Sequence, residues 1–273
     1  DFLLAENIFT SAELKNRPYE KVKTYVSCIT SLGDIYKKQV SSSNLKIRHS
    51  PRLSYGEEII DGGRLHPLSP NEKKVFLQYL EQFASRDFQL ICYLALYTGA
   101  RLQTICTIRA FHIKKMIAKQ TVNNIDDTYT LRVGGKSIID TKGGYEHNLK
   151  VPGWLIKDIN QYLCSESWQK RASQSLYKAR DENYVFLTKL GNPYYTSVKE
   201  IEDNNLKLFS KKIKFSMHKG NAARQALTKL INLMHKNKED IRRFTLHDLR
   251  ATFGVDLLIS AAKHVDDIDQ IIP

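Results

Sequence analysis

Residues 87–97 constrain the fold most, because this stretch is apolar almost all the way round a helix. Its large apolar side chains are Leu90, Ile91, Tyr93, Leu94 and Leu96. A helix without a polar face has to be surrounded by other elements. The stretch ends at Thr98-Gly99, and glycine is a common residue just past a helix end. The sequence therefore predicts a central buried helix, inside a domain large enough to cover it on every side.

Arg101 directly follows this break, and Leu102, Ile105 and Ile108 then resume a helical period. An arginine between two buried helices is costly unless it has a partner. One interpretation is that Arg101 pairs with a carboxylate or binds the last carbonyls of the first helix. The other is that it is an anion ligand held rigidly by the core. The residues of this stretch leave both interpretations open.

The segment 245–253 has the pattern of a helix start. Thr245 and Asp248 have the spacing of a capping box, in which each side chain bonds a backbone N–H of the other residue. His247 and Arg250 are three apart, so they share a face near the positive end of the helix dipole. An imidazole and a guanidinium at that end form an anion site, and phosphate is the obvious anion. The alternative is a capped surface helix with two solvated polar residues.

The rest of the chain predicts a mainly α fold with a small antiparallel β-sheet. Ser69, Pro70 and Glu72 have the pattern of a capped helix start. Residues 128–151 change period and predict three short antiparallel strands, with turns at Gly134-Gly135 and Gly143-Gly144. Lys136 and Lys142 lie beside these turns, where an ordinary exposed lysine is the usual finding.

The periodicity also divides the chain. Between Tyr19 and Lys38, apolar residues recur at helical spacing, so residues 1–50 are predicted to be a helical domain that is only partly present. Residues 51–65 have no period and carry Pro51, Gly56, Gly62 and Gly63, which is typical of a linker. Residues 66–273 are predicted to form the second domain.

Charge favours a polyanionic partner. The chain has 42 Lys and Arg against 29 Asp and Glu, a net charge of +13, which favours nucleic acid. The most basic stretch is 207–224, and a solvated surface is the alternative interpretation of it. The candidate DNA contacts are Lys136, Lys211, Lys212, Lys214, Lys219 and Arg224.

Other classes of protein receive no support from the sequence. No apolar run is long enough to span a bilayer, so no membrane partner is predicted. The four cysteines include no C-x-x-C pair and have no spacing with histidine that is typical of a zinc site, so we interpret them as reduced thiols of a cytosolic protein. No metal or cofactor is predicted.

Three features in this order resemble the tyrosine recombinase (phage integrase) family: Thr98-Gly-Ala-Arg101, Lys142 in a turn, and His247-Asp-Leu-Arg250. Thr141-Lys142-Gly-Gly followed by Val151-Pro152 resembles the family's β-hairpin. The resemblance covers about residue 65 to the end. It implies a tyrosine recombinase catalytic domain over 66–273, preceded by a partial helical core-binding domain over 1–50.

The resemblance also implies a reaction. A tyrosine would cut double-stranded DNA and form a 3′-phosphotyrosine, without any cofactor, and the DNA would then be rejoined. Arg101 and Arg250 would bind the phosphate, Lys142 would protonate the leaving oxygen, and His247 would bond the phosphate or help to deprotonate the tyrosine. The implied assembly is a homotetramer on two DNA sites, associated with the nucleoid in the cytoplasm. The implied biological role is integration and excision of a mobile element or phage.

Two departures from the family pattern qualify this expectation. Thr104 stands where the family often has an acidic residue. No tyrosine follows Arg250, so we expect a catalytic domain that is C-terminally incomplete and inactive by itself. Tyr194 and Tyr195 precede the His-x-x-Arg helix and are not expected to replace the nucleophile. The alternatives are an inactive DNA-binding integrase remnant and a type IB topoisomerase-like enzyme.

Overall fold

The structure is a computed structural model that describes residues 21–29, 35–43, 59–60, 64–118, 127–206 and 216–262. The chain divides into two compact units, residues 1–54 and 55–273. The division falls inside the segment predicted to be a linker, while the functional assignment of each domain remains a prediction.

The first unit contains a β-hairpin. Strand β1 (Lys21–Ile29) pairs antiparallel with β2 (Ile35–Ser43). The helix predicted between Tyr19 and Lys38 is therefore wrong over these described residues. The sequence of β1 explains the error, because Val, Thr, Val and Cys alternate with Lys, Lys, Tyr and Ser at period 2, and β-branched and aromatic residues favour strands. The period-2 pattern prevails over the partial helical one.

The second unit is mainly helical and has a small antiparallel sheet, as predicted. Its short strands are β3 (Ile59–Ile60), β4 (Arg64–Leu65), β5 (Thr128–Val133) and β6 (His147–Pro152). Its helices are α1 (Pro70–Phe83), α2 (Arg86–Thr98), α3 (Leu102–Cys106), α4 (Ala110–Ala118), α5 (Gly153–Cys164), α6 (Glu166–Gln174), α7 (Val198–Asn205), α8 (Asn221–Lys236) and α9 (Leu246–Ala262).

Helix α2 lies at the centre of this unit, as its apolar circumference predicts. Leu90, Ile91 and Cys92 are fully buried. Helices α3, α5 and α9 and strand β6 all contact α2. Because α2 is fixed on several sides, the turn that follows it at residue 99 is held by the core.

The helix before it begins as the sequence predicts. The Ser69 side chain accepts the N–H of Glu72 at 3.2 Å, and the Glu72 carboxylate accepts the N–H of Ser69 at 2.8 Å. Pro70 is the first residue of α1. This confirms the predicted capping box.

The segment 128–152 forms a sheet of two six-residue strands, β5 and β6, instead of the three strands predicted. Tyr129 pairs with Val151 and Leu131 with Leu149, and all four side chains are buried. The middle strand predicted at residues 137–140 is wrong: 3₁₀ turns form at Gly135–Ser137 and Lys142–Gly144. The N–H of Asp140 bonds the side chain of Thr107 at 2.9 Å, so it is not available to a strand ladder.

Among the described residues, no helix is long and apolar enough to cross a membrane. Within the same ranges, no three His, Cys, Asp or Glu side chains group together as metal ligands would.

Candidate functional site

The turn that precedes Arg101 is fixed by backbone and side-chain hydrogen bonds. Gly99 ends α2 in the left-handed conformation (φ +64°), and its N–H bonds the carbonyl of Ala95 at 3.1 Å. The hydroxyl of Thr98 donates to the carbonyl of Leu94 at 2.6 Å and accepts the N–H of Ala100 at 3.2 Å. Arg101 follows as the half-buried N-cap residue of α3. Its backbone position is therefore set on both sides.

Helix α9 packs directly against this turn. A methyl group on Gly99 would lie 2.5 Å from Cδ1 of Phe253. Phe253 is one turn past Arg250, so the helix that bears His247 and Arg250 lies against the turn that leads to Arg101. Only glycine suits position 99, because of both its positive φ and this ring.

The start of α9 partly follows the predicted capping box. The Asp248 carboxylate accepts the N–H of Thr245 at 2.7 Å and the hydroxyl of Thr245 at 2.8 Å. The Thr245 hydroxyl oxygen, however, accepts the N–H of His247 at 3.2 Å and not that of Asp248. The backbone N–H of Asp248 instead bonds the Thr245 carbonyl at 3.1 Å. His247 and Arg250 are half-buried on the resulting first turns.

Lys142 is exposed at the start of the second 3₁₀ turn. The segment just before it is tied to α3, since Oδ2 of Asp140 accepts Nε2 of Gln103 at 3.4 Å and the N–H of Val198 at 2.9 Å. Burial raises the pKa of the Asp140 carboxyl, and the bond from Val198 opposes that shift. The loop that bears Lys142 is thus anchored to the helix that begins right after Arg101.

Lys136 lies in the first 3₁₀ turn and is also exposed. The next residue, Ser137, has its carbonyl 2.9 Å from Nε2 of His112. Nδ1 of the same ring accepts the N–H of Arg109 at 3.0 Å, so the ring is neutral and its Nε2 donates to Ser137. Burial lowers the pKa of His112 to about 4. This turn is therefore anchored to α4, whereas Asp140 anchors the loop of Lys142 to α3.

Part of the basic stretch adjoins α3 as well. A methyl group on Gly220, the N-cap of α8, would lie 2.7 Å from Cδ2 of Leu102. The exposed Lys219 and Arg224 flank this cap, and a guanidinium N–H of Arg224 donates to the Lys219 carbonyl at 2.6 Å. The predicted contacts Lys211, Lys212 and Lys214 lie outside the described residues.

The side chain of Tyr194 is buried in the hydrophobic core. It is 7% exposed, and its hydroxyl bonds Asp87 at 2.5 Å. Asp87 also pairs with Arg171 at 2.8 Å. Burial and the Asp87 carboxylate raise the pKa of Tyr194. A phenol that is buried away from solvent and whose pKa is raised is neither accessible to DNA nor easily ionised, so Tyr194 is not placed to act as a nucleophile.

The residues that tie these segments together were not found from the sequence. Gln103 and Asp140 are separated by 37 positions and meet only in the folded chain. Thr104, the departure from the family pattern, is buried and its carbonyl accepts the hydroxyl of Thr107 at 3.3 Å. The nearest signal for Asp140 was its place at the end of an apolar run.

Comparisons with known proteins give distant structural similarity only. No protein-family model and no curated protein sequence matches the chain. A structure of the Tn1549 transposon integrase (residues 82–397) with circular intermediate DNA is similar over 71% of this chain and 52% of its own, with 14% identity and a TM-score of 0.42. A structure of the same integrase with transposon right end DNA is similar over 75% of this chain and 59% of the integrase chain, with 12% identity and a TM-score of 0.44. XerA recombinase covers 84% and 58%, with 14% identity and a TM-score of 0.40.

The chain is therefore distantly similar in structure to an integrase and a recombinase. It spans a little over half the length of those structures. At such low identities and TM-scores, the function proposed below rests on the residues of this chain.

Proposed function

We propose that the chain is the phosphate-binding part of a site-specific DNA recombinase of the tyrosine recombinase family. The observation that supports this most is the contact of Gly99 with Phe253, 2.5 Å from a methyl group placed on the glycine. It joins the turn of Arg101 to the helix of His247 and Arg250. The segment of Lys142 is bonded to α3 through Asp140 and Gln103, and α9 packs against the turn that leads into α3, which supports a common site.

The chemistry accounts for the residue types. Attack on a phosphodiester builds negative charge on its non-bridging oxygens, and two guanidinium groups, Arg101 and Arg250, match those oxygens in charge and shape. Lys142 protonates the leaving 5′ oxygen as a general acid. His247 bonds the phosphate or assists deprotonation of the nucleophile.

The nucleophile in this proposal is a tyrosine from outside residues 1–273. No tyrosine follows Arg250, and Tyr194 is buried against Asp87. The product would be a 3′-phosphotyrosine, which conserves the energy of the broken bond for rejoining. The 273-residue chain alone should therefore bind DNA without cutting it.

Double-stranded DNA is the proposed partner. The net charge of +13 supports it, together with the exposed Lys136, Lys219 and Arg224 beside the turns described above. Lys211, Lys212 and Lys214 are proposed to contact DNA as well. The longer enzyme is proposed to act as a homotetramer on two DNA sites, in the cytoplasm with the nucleoid, to integrate and excise a mobile element such as a phage.

A DNA-binding protein without catalysis, an integrase remnant, is the second candidate, because the net charge of +13 and the exposed Lys219 and Arg224 would serve DNA binding alone. The two are separated with a nicked suicide substrate that carries the recombination site, followed by a denaturing gel. The recombinase proposal expects no covalent adduct from residues 1–273 and an adduct once the coding sequence past Pro273 is included. An adduct formed by residues 1–273 would refute our placement of the nucleophile. No adduct from either form would support the remnant.

The general acid is tested separately in the longer form. Lys142→Ala should slow cleavage of a normal phosphodiester but not of a substrate with a 5′-thiolate leaving group, which needs no proton. Lys136→Ala is the matched control, because it is an exposed lysine in the neighbouring turn. If Lys136→Ala shows the defect and the rescue instead, the assignment of Lys142 is wrong.

A further inference from the structure

Three hydrogen bonds join the segment from residue 66 to residue 73, which leads into α1, to one face of α9. The acceptors are four residues apart on α9, so they lie one above another on a single face. The donors are two backbone N–H groups and one ammonium. The pairs are His66 with Asp248 at 2.7 Å, Leu68 with Thr252 at 2.9 Å, and Lys73 with Asp256 at 2.5 Å.

Asp248 has a special place in this row, because it also organises the start of α9. It is 5% exposed, and its Oδ1 accepts the N–H of His66. Its Oδ2 accepts both the N–H and the hydroxyl of Thr245, and that hydroxyl in turn accepts the N–H of His247. One buried carboxylate therefore fixes the first turn of α9 from inside the helix and from the neighbouring segment.

We propose that Asp248 is a positioning residue of the phosphate site, which sets the orientation of His247 and Arg250 by locking the first turn of α9 against residues 66–68. It is not a ligand itself, since three donors occupy its two oxygens. The inference rests on the proposed function, because it assumes that His247 and Arg250 share a phosphate.

Thr252 provides a matched control for stability. Its hydroxyl accepts a buried backbone N–H of the same neighbouring segment, one turn further along. Loss of either acceptor leaves a backbone donor unsatisfied, so both changes should weaken the fold in the same way. Only Asp248 also holds the first turn, so only its loss should change the phosphate site.

The test uses residues 1–273 and inorganic phosphate, and needs neither a nucleophile nor a known DNA site. The histidines are labelled with ¹³C and ¹⁵N, the ring signal of His247 is assigned with His247→Gln, and phosphate is titrated. We expect Asp248→Asn to raise the Kd for phosphate at least fivefold and Thr252→Val to leave it within twofold. Both variants should lower Tm.

Equal Kd values for Asp248→Asn and Thr252→Val would overturn the inference, since Asp248 would then only stabilise the fold. If Asp248→Asn does not fold, Thr245→Ala loosens the same turn and should raise the Kd two- to threefold, and an unchanged Kd would overturn the inference as well. The proposed function fails in a different way: the unsubstituted chain would show no saturable phosphate binding, or Arg250→Ala would bind as tightly as it does. That result refutes the phosphate site, and the role of Asp248 with it.

Discussion

Gly99→Ala tests whether the turn of Arg101 depends on its contact with α9. Two costs add. An L-residue in the left-handed region costs about 1–2 kcal/mol, of which a reduced unfolded-state entropy returns about 0.4–1 kcal/mol. The new methyl group would lie 2.5 Å from Cδ1 and 3.0 Å from Cε1 of the Phe253 ring, so the ring has to move, and overpacking of this kind costs about 1–3 kcal/mol. We expect the free energy of unfolding to fall by about 1–4.5 kcal/mol in total, with a central value of about 3 kcal/mol.

The assay is urea unfolding followed by tryptophan fluorescence. The chain has two tryptophans, Trp154 and Trp168, and both lie in the second unit. The urea midpoint should fall while the slope stays constant, because the surface exposed on unfolding is unchanged.

Gly144→Ala is the matched control for the backbone term. Gly144 also has a positive φ (+72°), but an added methyl group would meet nothing within 4 Å. It should cost only about 1 kcal/mol. Phe253→Ala removes the obstructing ring, so it should reduce the cost of Gly99→Ala by at least about 1 kcal/mol in a double-mutant cycle. A cost at Gly99 no greater than at Gly144 would refute the packing argument.

Three further outcomes are expected. Burial holds the pKa of His112 near 4, below its ordinary 6.5, so the neutral ring stabilises the fold fully above pH 6.5. The free energy of unfolding should fall by about 3 kcal/mol as the pH falls towards 4. Urea unfolding at pH 7.5 and 4 checks this, and His112→Gln should lack that part of the change. Tyr194→Phe should lower stability by about 1–3 kcal/mol by removing a donor to Asp87, while DNA affinity in a gel-shift assay stays within twofold; a large loss of affinity would contradict a purely structural role. DNA affinity should fall steeply with salt, and Arg224→Ala should reduce the log–log slope by about 1 if that side chain contacts a phosphate.

The sequence predicted the structure correctly where one local signal was strong. Helix α2 is apolar all round, so burial was its only solution, and Gly99 marked its end. The capping box of Ser69 and Glu72 was equally legible, because both partners lie within one turn. Such features depend on neighbours in sequence, which is why they could be predicted.

The sequence predicted the wrong element where two periodicities were present in one stretch, or where a residue far away in the chain determined the local structure. Between residues 19 and 38, a few apolar residues fit a helical spacing, but alternation over β1 prevailed. The strand predicted at 137–140 was lost because the hydroxyl of Thr107 takes the N–H of Asp140. No pattern within the hairpin reveals that partner, which lies 33 positions earlier in the chain.

The order of the motifs in the sequence predicted the candidate site residues. The contacts that hold these residues in place are visible only in the folded structure. Gln103 and Asp140 belong to different segments, and nothing in either motif pairs them. Asp248 stood out as a cap, but its bond to the N–H of His66 joins residues 182 positions apart. Position in a motif and position in space are separate pieces of information, and only the first can be obtained from the sequence.

The tethers share one chemical device. Thr98, Asp140 and Asp248 each lie within three positions of a proposed phosphate ligand in the sequence, and the short side chain of each accepts a backbone N–H. Cations that are to surround one phosphate repel each other until the anion lies between them, and side-chain hydrogen bonds to backbone resist that repulsion more directionally than apolar contacts do. Holding the segments in place before the anion binds is what makes an electrostatic site effective in a transition state. Loss of any one tether should therefore weaken phosphate binding more than it weakens the fold, whereas loss of a core side chain such as Leu90 should do the reverse.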